Sequence, residues 1–250
     1  MQLDIILRTH DQKSIHHRDF DYDKSDITQR CANSIHKAID GLDNVSIVTV
    51  DDHSSDETVS MLRNVIHLEG TGNNASLAKV FELAADSKAD LVYLIEDDYL
   101  HYPNAIEEML LTYDKFTEKM ETKDICLSLV DCPAHYHQKQ YVGGGKGRDG
   151  SIARIVGGVN YAWRTTEHTG ATFCTTPNVI NKYWGAFDDL VQHWPTAKED
   201  TTWNKVWEEH VVLFNPLQPL AYHLAEVHPY YPHDQLWKDS KITYKLKSVA

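Results

Sequence analysis

A chain of 250 residues, 42% of them hydrophobic and 24% charged, can bury one sizeable core and is not forced to divide into two domains. Its formal net charge of −13 repels phosphate backbones, which argues against nucleic acid as a partner; a small anionic ligand would need a cation to screen the local carboxylates. No stretch approaches the ~20 apolar residues that span a bilayer, so no transmembrane segment is expected.

The opening, MQLDIILRTHD, has no basic region followed by a long apolar one, so it reads as a strand rather than a signal peptide and predicts a cytoplasmic protein. Apolar strands are expected at Leu3 to Leu7, Val45 to Val50 and, more weakly, Val65 to Leu68. The strongest is Leu91 to Ile95 (LVYLI), a continuous apolar run suited to burial on both faces. Helical patterns lie between them. Ser25 or Asp26 is placed to cap a helix with Ile27, Cys31, Ile35 and Ile39 on one stripe, ending near Gly41. Ser55 caps the next, and Ala75 to Ala85 forms a third with Leu77, Val80, Phe81 and Ala84 inward. Pro103 sits where N1 of a helix to about Met120 is expected.

Beyond Met120 the pattern is less regular. A strand is expected at Ile125 to Val130, a hairpin within Ile152 to Trp163, helices from Pro177 to Gln192 and from Glu199 to Glu209, and a strand near Leu220. No linker marks a boundary, so one domain is expected, with residues 1–120 and 121–250 as two functional halves. Alternating strands and helices imply a doubly wound, mostly parallel sheet, whose ligands sit outside the carboxyl ends of the strands. That edge collects Thr9 to Asp11, Asp51 to Ser54, and Glu96 to Asp98.

Cys31, Cys126, Cys132 and Cys174 form no CxxC pair, and buried thiols are expected rather than disulfides or zinc ligands. Residues 143–150 (GGGKGRDG) lack P-loop spacing and read as a loop over an acceptor or as plain surface. His135 and His137 alternate as on a strand, more in keeping with an exposed edge than with a metal site. Trp163, Trp184, Trp194, Trp203 and Trp207 suit sugar stacking, but mostly read as core. Gly170-Ala171-Thr172 are small enough to let an acceptor approach the backbone.

Three adjacent carboxylates, Glu96-Asp97-Asp98, repel one another, and such a cluster is cheap only beside a cation or solvent. A nucleoside diphosphate leaving group needs Mg²⁺ or Mn²⁺ held by one or two carboxylates; a solvated acidic turn before a helix is the plainer alternative. Asp51-Asp52-His53-Ser54-Ser55-Asp56 offers a carboxylate to a base or ribose, and equally an N-cap turn.

These segments carry a family resemblance. Val50 to Thr58 (VDDHSSDET) resembles the VDDGSxDxT segment of family-2 glycosyltransferases. Leu3 to Asp11 resembles their opening strand, and Asn73 through LVYLIEDD resembles their approach to the DxD metal motif. Together they cover roughly residues 3–110 in the family's order. The resemblance implies a GT-A sheet, a nucleotide-sugar donor (UDP- or GDP-sugar), a carbohydrate or glycan acceptor, and Mn²⁺ or Mg²⁺. It assigns Thr9 and Asp11 to the nucleotide pocket, Asp52 to the base, Asp97 to the ribose or sugar, and Asp98 to the metal. Asn73 and Asn74 fall where the family places polar donor contacts. The chain departs from the pattern at Arg8, where the family has proline, in a His- and Asp-rich insert between Asp11 and Ser25, and in reading EDD for DxD.

Lys198-Glu199-Asp200-Thr201 resembles the family's Glu-Asp pair at a helix start, with Asp200 as the catalytic base of an inverting transfer and Glu199 orienting it. Two acidic residues in a first helical turn are also common for dipole reasons alone. By the same resemblance His223 or His228, after the last strand, completes the metal shell. Two alternatives differ in class. A sugar-nucleotide nucleotidylyltransferase would want a Gly-rich basic loop after the first strand, where this chain has Arg8-Thr9-His10-Asp11. A non-catalytic nucleotide- or carbohydrate-binding module would tolerate loss of the acids that are present here.

Overall fold

Along β1 (Leu3–Thr9) the apolar side chains enter two separate cores, Leu3, Ile5 and Leu7 in one and Ile6 in the other. A strand of this kind must be covered on both faces, the condition for a sheet sandwiched by helices. The computed structural model describes residues 1–12, 23–131, 153–224 and 234–240. In it β1 pairs in parallel with β2 (Val45–Asp51) and β4 (Leu91–Glu96), and β2 pairs in parallel with β3 (Val65–His67). β4 repeats the alternation: Leu91, Tyr93 and Ile95 face the first core, Val92 and Leu94 the second.

On the first face lie α1 (Lys24–Ala38), through Ala32, Ile35 and Ala38, and α4 (Ala105–Met120), through Ile106, Met109, Tyr113 and Phe116. On the second lies α3 (Asn73–Asp86), which buries Leu77, Val80, Phe81 and Ala84, the stripe expected from its spacing. The single-turn α2 (Asp56–Val59) is capped by Ser55, whose side chain accepts from Thr58 N–H. α1 is capped by Asp23 rather than by Ser25 or Asp26, because Asp23 reaches the Ser25 N–H at 3.0 Å. Pro103 falls two residues before α4, with Asn104 between them, so it precedes the first turn instead of forming it.

The C-terminal half extends the same sheet. β9 (Phe173–Thr175) inserts antiparallel between β4 and β6 (Ile125–Leu127), and β10 (Val212–Pro216) runs parallel to β6. β8 (Ala162–Thr166) and β7 (Ile155–Gly157) close the far edge as a hairpin. The order is β3-β2-β1-β4-β9-β6-β10-β8-β7; only β9 and β8 are reversed, so seven of the nine strands share one direction. A separate two-stranded ribbon joins β5 (Tyr99–His101) to β11 (Ala221–His223), and Leu100, Tyr222 and Leu224 pack there with Ile27, Cys31 and Leu236, the last from α8 (Asp234–Asp239).

Two expected helices are divided. The run from Pro177 breaks at Tyr183 into α5 (Pro177–Lys182) and α6 (Trp184–His193), and the run from Glu199 begins as a 3₁₀ turn, Glu199–Thr201, before α7 (Asn204–Glu209). Both breaks serve packing. Phe187 of α6 and Trp203 and Trp207 around α7 converge on Phe81 and Phe173, with Phe173–Trp207 and Phe81–Phe187 ring centroids each 5.2 Å apart. Trp163 is likewise core, whereas Trp184 is half-buried and Trp194 is exposed. Cys31, Cys126 and Cys174 are buried; Cys132, His135, His137 and the 143–150 loop lie outside the described residues. Among the described residues no helix is long and apolar enough to cross a membrane.

Because Phe173 sits fully buried against the rings of Phe187, Trp203 and Trp207, Phe173→Ala is expected to cost about 3–5 kcal/mol in urea unfolding, from lost transfer energy plus an unfilled cavity.

Candidate active site

Parallel pairing carries the carboxyl ends of β1, β2 and β4 to one edge, where Thr9 pairs with Asp51 and Arg8 with Glu96. The Thr9 hydroxyl donates to Asp51 at 3.2 Å, and the Asp52 N–H donates to the Thr9 carbonyl at 2.9 Å. Asp52 then turns to the start of α3 and accepts the Gly72 N–H at 2.8 Å. Gly72 has φ +96°, a left-handed conformation that suits glycine. Burial would raise the pKa of Asp11, but hydrogen bonds from Ser55 and Thr58 outweigh it and hold the carboxyl below its ordinary range. Asp11 thereby ties the end of β1 to the N-terminus of α2, accepting the Ser55 N–H at 3.0 Å.

Arg8 is central to this edge. Its guanidinium pairs with Glu96 and donates to the Asn73 side-chain oxygen at 2.6 Å, so it links β1, β4 and α3. Asn74 points elsewhere, donating to the Val191 carbonyl of α6 at 2.9 Å. Asp97, buried, receives the Lys24 ammonium, the His10 N–H at 2.8 Å and the Thr28 hydroxyl at 3.1 Å. Three donors from β1's exit and α1 thus occupy it. Asp98 lies on the other side of the chain, with a carboxylate oxygen 3.6 Å from His223 Nε2.

The 3₁₀ turn brings a second acidic pair to the same place. Glu199 is half-buried, and burial, reinforced by the nearby charges of Glu96 and Asp200, pushes its carboxyl up to about 7 against the pull of His168 and His223. Asp200 behaves oppositely: hydrogen bonding from His168 holds its pKa below the ordinary value, despite partial burial. His168 Nδ1 is 2.8 Å from the Asp200 carboxylate, and Asn204 donates to that carboxylate at 3.2 Å. Both acidic groups act on Tyr99, whose hydroxyl pKa is raised by burial and then by the charges of Glu96, Asp98 and Glu199. Acids from β4's exit and from the Glu199 turn therefore act on one phenol.

Mn²⁺ or Mg²⁺ would find Asp98 and His223 converging here; His228 lies outside the described residues. Among the described residues no three His, Cys, Asp or Glu side chains stand ready-gathered around one cation. A hard cation that keeps several waters and binds through one or two carboxylates plus donor phosphates needs only such a partial shell, so the residues fit. Sequence reasoning did not single out Lys24, Thr28, Tyr99, His168 and Asn204. None belongs to a motif; Lys24 and Thr28 reach Asp97, and His168 reaches Asp200, from distant segments, Asn204 meets Asp200 from one turn away, and Tyr99 stacks on His223. Arg8 was visible only as a departure from a pattern.

A sheet of this order, with carboxylates at the exits of β2 and β4 and acids returned to them from the C-terminal half, defines the GT-A class of nucleotide-sugar-binding folds. The model for "Glycosyl transferase family 2" matches residues 22–162, more than half of the chain, and the chain belongs to that family. No curated protein matches it in sequence. Among solved structures it is similar to S. aureus TarS (13% identity, TM-score 0.52, covering 92% of this chain and 37% of that one). It is also similar to S. aureus TarS 1–349 in complex with UDP-GlcNAc (13%, 0.46, 91% and 62%). A third is the mannosyltransferase PcManGT from Pyrobaculum calidifontis in complex with GDP-Man and Mn²⁺ (14%, 0.43, 72% and 46%). The chain spans less than two thirds of the length of each. The TarS likeness supports the fold alone.

The raised pKa of Glu199 has a stability consequence. Protonation is favoured in the folded state, so the associated stability is fully present below the unfolded-state value of 4.5 and is lost as pH rises through about 7. Glu199→Gln, scanned in chelator without nucleotide, is expected to raise the thermal midpoint at pH 8, with the gain disappearing by pH 4.5; equal shifts at both pH values would contradict the assignment.

Proposed function

We propose that this chain transfers a sugar from a nucleotide-sugar donor to the hydroxyl of a carbohydrate or glycan acceptor, with inversion at the anomeric carbon and with the help of Mn²⁺ or Mg²⁺. The observation that supports it is that acids from distant segments converge electrostatically: the charges of Glu96, Asp98 and Glu199 all act on the buried Tyr99 hydroxyl, while Asp200 stands next to Glu199 and is held by His168. A folded protein has little reason to crowd acids from distant segments unless a cation and a reacting group meet there.

In this reading Thr9, Asp11, Asp52 and Asn73 shape the nucleotide pocket along the edge of β1, β2 and α3. Asp52 keeps capacity for a base or ribose donor, since a carboxylate accepts about four hydrogen bonds, of which the Gly72 N–H takes one while the His53 ring lies 3.1 Å from the other oxygen. Asp97, proposed beside the ribose or sugar, serves first to hold α1 against β1, given its three donors. A divalent cation, when bound, would neutralise the departing diphosphate, and Asp98 with His223 or His228 would hold it.

Asp200 takes the proton of the acceptor hydroxyl as that oxygen attacks from the face opposite the leaving nucleotide. Its lowered pKa keeps it ionised at neutral pH, and His168 and Asn204 fix its direction. Glu199 shares a proton near neutral pH, which reduces repulsion of an incoming diphosphate. UDP and GDP are the first donors to test, on the family resemblance.

A thermal-shift panel of UDP, GDP, CDP and dTDP, each with Mn²⁺ and with chelator, is expected to give a metal-dependent shift for one nucleotide that Asp98→Ala abolishes. No shift with any nucleotide would sink the reading. With the donor identified, Asp200→Asn should lower kcat by ~10²–10⁴-fold, the usual share of a positioned general base, while leaving donor binding unchanged. The anomeric configuration of the product, read by NMR, checks inversion.

A further inference from the structure

β5 begins one residue after Asp98, and β11 returns beside it in antiparallel register, pairing His223 with Tyr99. The Leu224 N–H donates to the Asp98 carbonyl at 2.8 Å, which pins the two backbones together at this point. Backbone pairing fixes where the His223 side chain starts but not how its ring is turned, because the terminal torsion of histidine is broad. The ring is set by what it lies against. His223 stacks on Tyr99, with centroids 4.5 Å apart and planes 11° from parallel. Tyr99 is itself held: it is buried, and Gly170 walls its hydroxyl so closely that an added Cβ would stand 3.2 Å from it. A fixed phenol therefore fixes an imidazole, and the imidazole presents Nε2 to the Asp98 carboxylate.

We infer that Tyr99 is a positioning residue for divalent-cation binding, whose ring holds the His223 imidazole at the Asp98 carboxylate. The inference rests on the proposed reading of Asp98 and His223 as ligands, and adds a residue that no motif marks. Its chemistry is that of a neighbour which orients a ligand ring without touching the cation; loss of such neighbours typically costs ~10–100-fold in metal affinity.

The test is titration of the full chain with Mn²⁺ alone, followed by electron paramagnetic resonance of the free ion. Tyr99→Phe keeps the stack and is expected to bind within ~3-fold of the parent, whereas Tyr99→Leu removes it and should weaken binding by ~10-fold or more. Tyr99 is buried, so the leucine variant is checked by its thermal midpoint, and a second arm avoids dependence on it. Gly170→Ala crowds the Tyr99 hydroxyl and should weaken Mn²⁺ binding, and Tyr99→Phe in that background should restore it by removing the clashing oxygen. A folded Tyr99→Leu variant with parental affinity, or a Gly170→Ala loss that Tyr99→Phe does not repair, would overturn the inference alone, provided Asp98→Ala has abolished binding. If the parent binds no Mn²⁺, or Asp98→Ala binds as the parent does, the metal reading itself falls and carries this inference with it.

Discussion

Like charges do not gather at a buried edge without compensation, and this constraint organises the site. The chain carries a net charge of −13 and places its acids thickly at the carboxyl end of the sheet, yet nearly every carboxylate there is met by a fixed donor. Asp97 has Lys24, Glu96 has Arg8, Asp11 has Ser55, Asp52 has the Gly72 N–H and Asp200 has His168. These donors come from different elements, so charge compensation also welds α1, α2 and α3 to the strand exits. Glu199 differs: burial, reinforced by the nearby charges of Glu96 and Asp200, pushes its carboxyl up to about 7. The contrast within one turn, with Glu199 raised and Asp200 lowered, separates a group that shares a proton from one that stays ionised.

The second half of the chain reaches this edge by a change of strand direction. β9 enters antiparallel beside β4, and its Phe173 packs against Trp203 and Trp207. That aromatic packing seats the 3₁₀ turn immediately before Trp203, and with it Glu199 and Asp200, opposite the exit of β4. The β5–β11 ribbon performs the equivalent task for His223 on the other side. Two separate packing arrangements thus deliver two kinds of polar group to one point.

Much of the N-terminal half was legible because its strands are long enough to declare themselves. Leu91 to Ile95 is a continuous apolar run, and the α3 stripe of Leu77, Val80, Phe81 and Ala84 recurs at helical spacing. β5 and β9, of three residues each, and the five-residue β10 do not: runs this short are compatible with helix, strand or turn until a partner is known. The break at Tyr183 was hidden for a related reason, since no Pro or Gly falls at that residue and the interruption is imposed by packing.

Sequence by itself determined the class of the fold and the edge at which polar groups collect, while Asp52, Asp98, Glu199 and Asp200 became candidates through the family resemblance. Periodicity and strand-end position are local properties, and a local pattern is enough to specify them. What tertiary structure decided was which acids meet, which are already occupied, and what holds them. Arg8 bridging Glu96 to Asn73, Lys24 closing on Asp97, and Tyr99 lying flat against His223 are all contacts between segments far apart in the chain. Such pairings depend on the direction and register of strands that only the assembled sheet supplies.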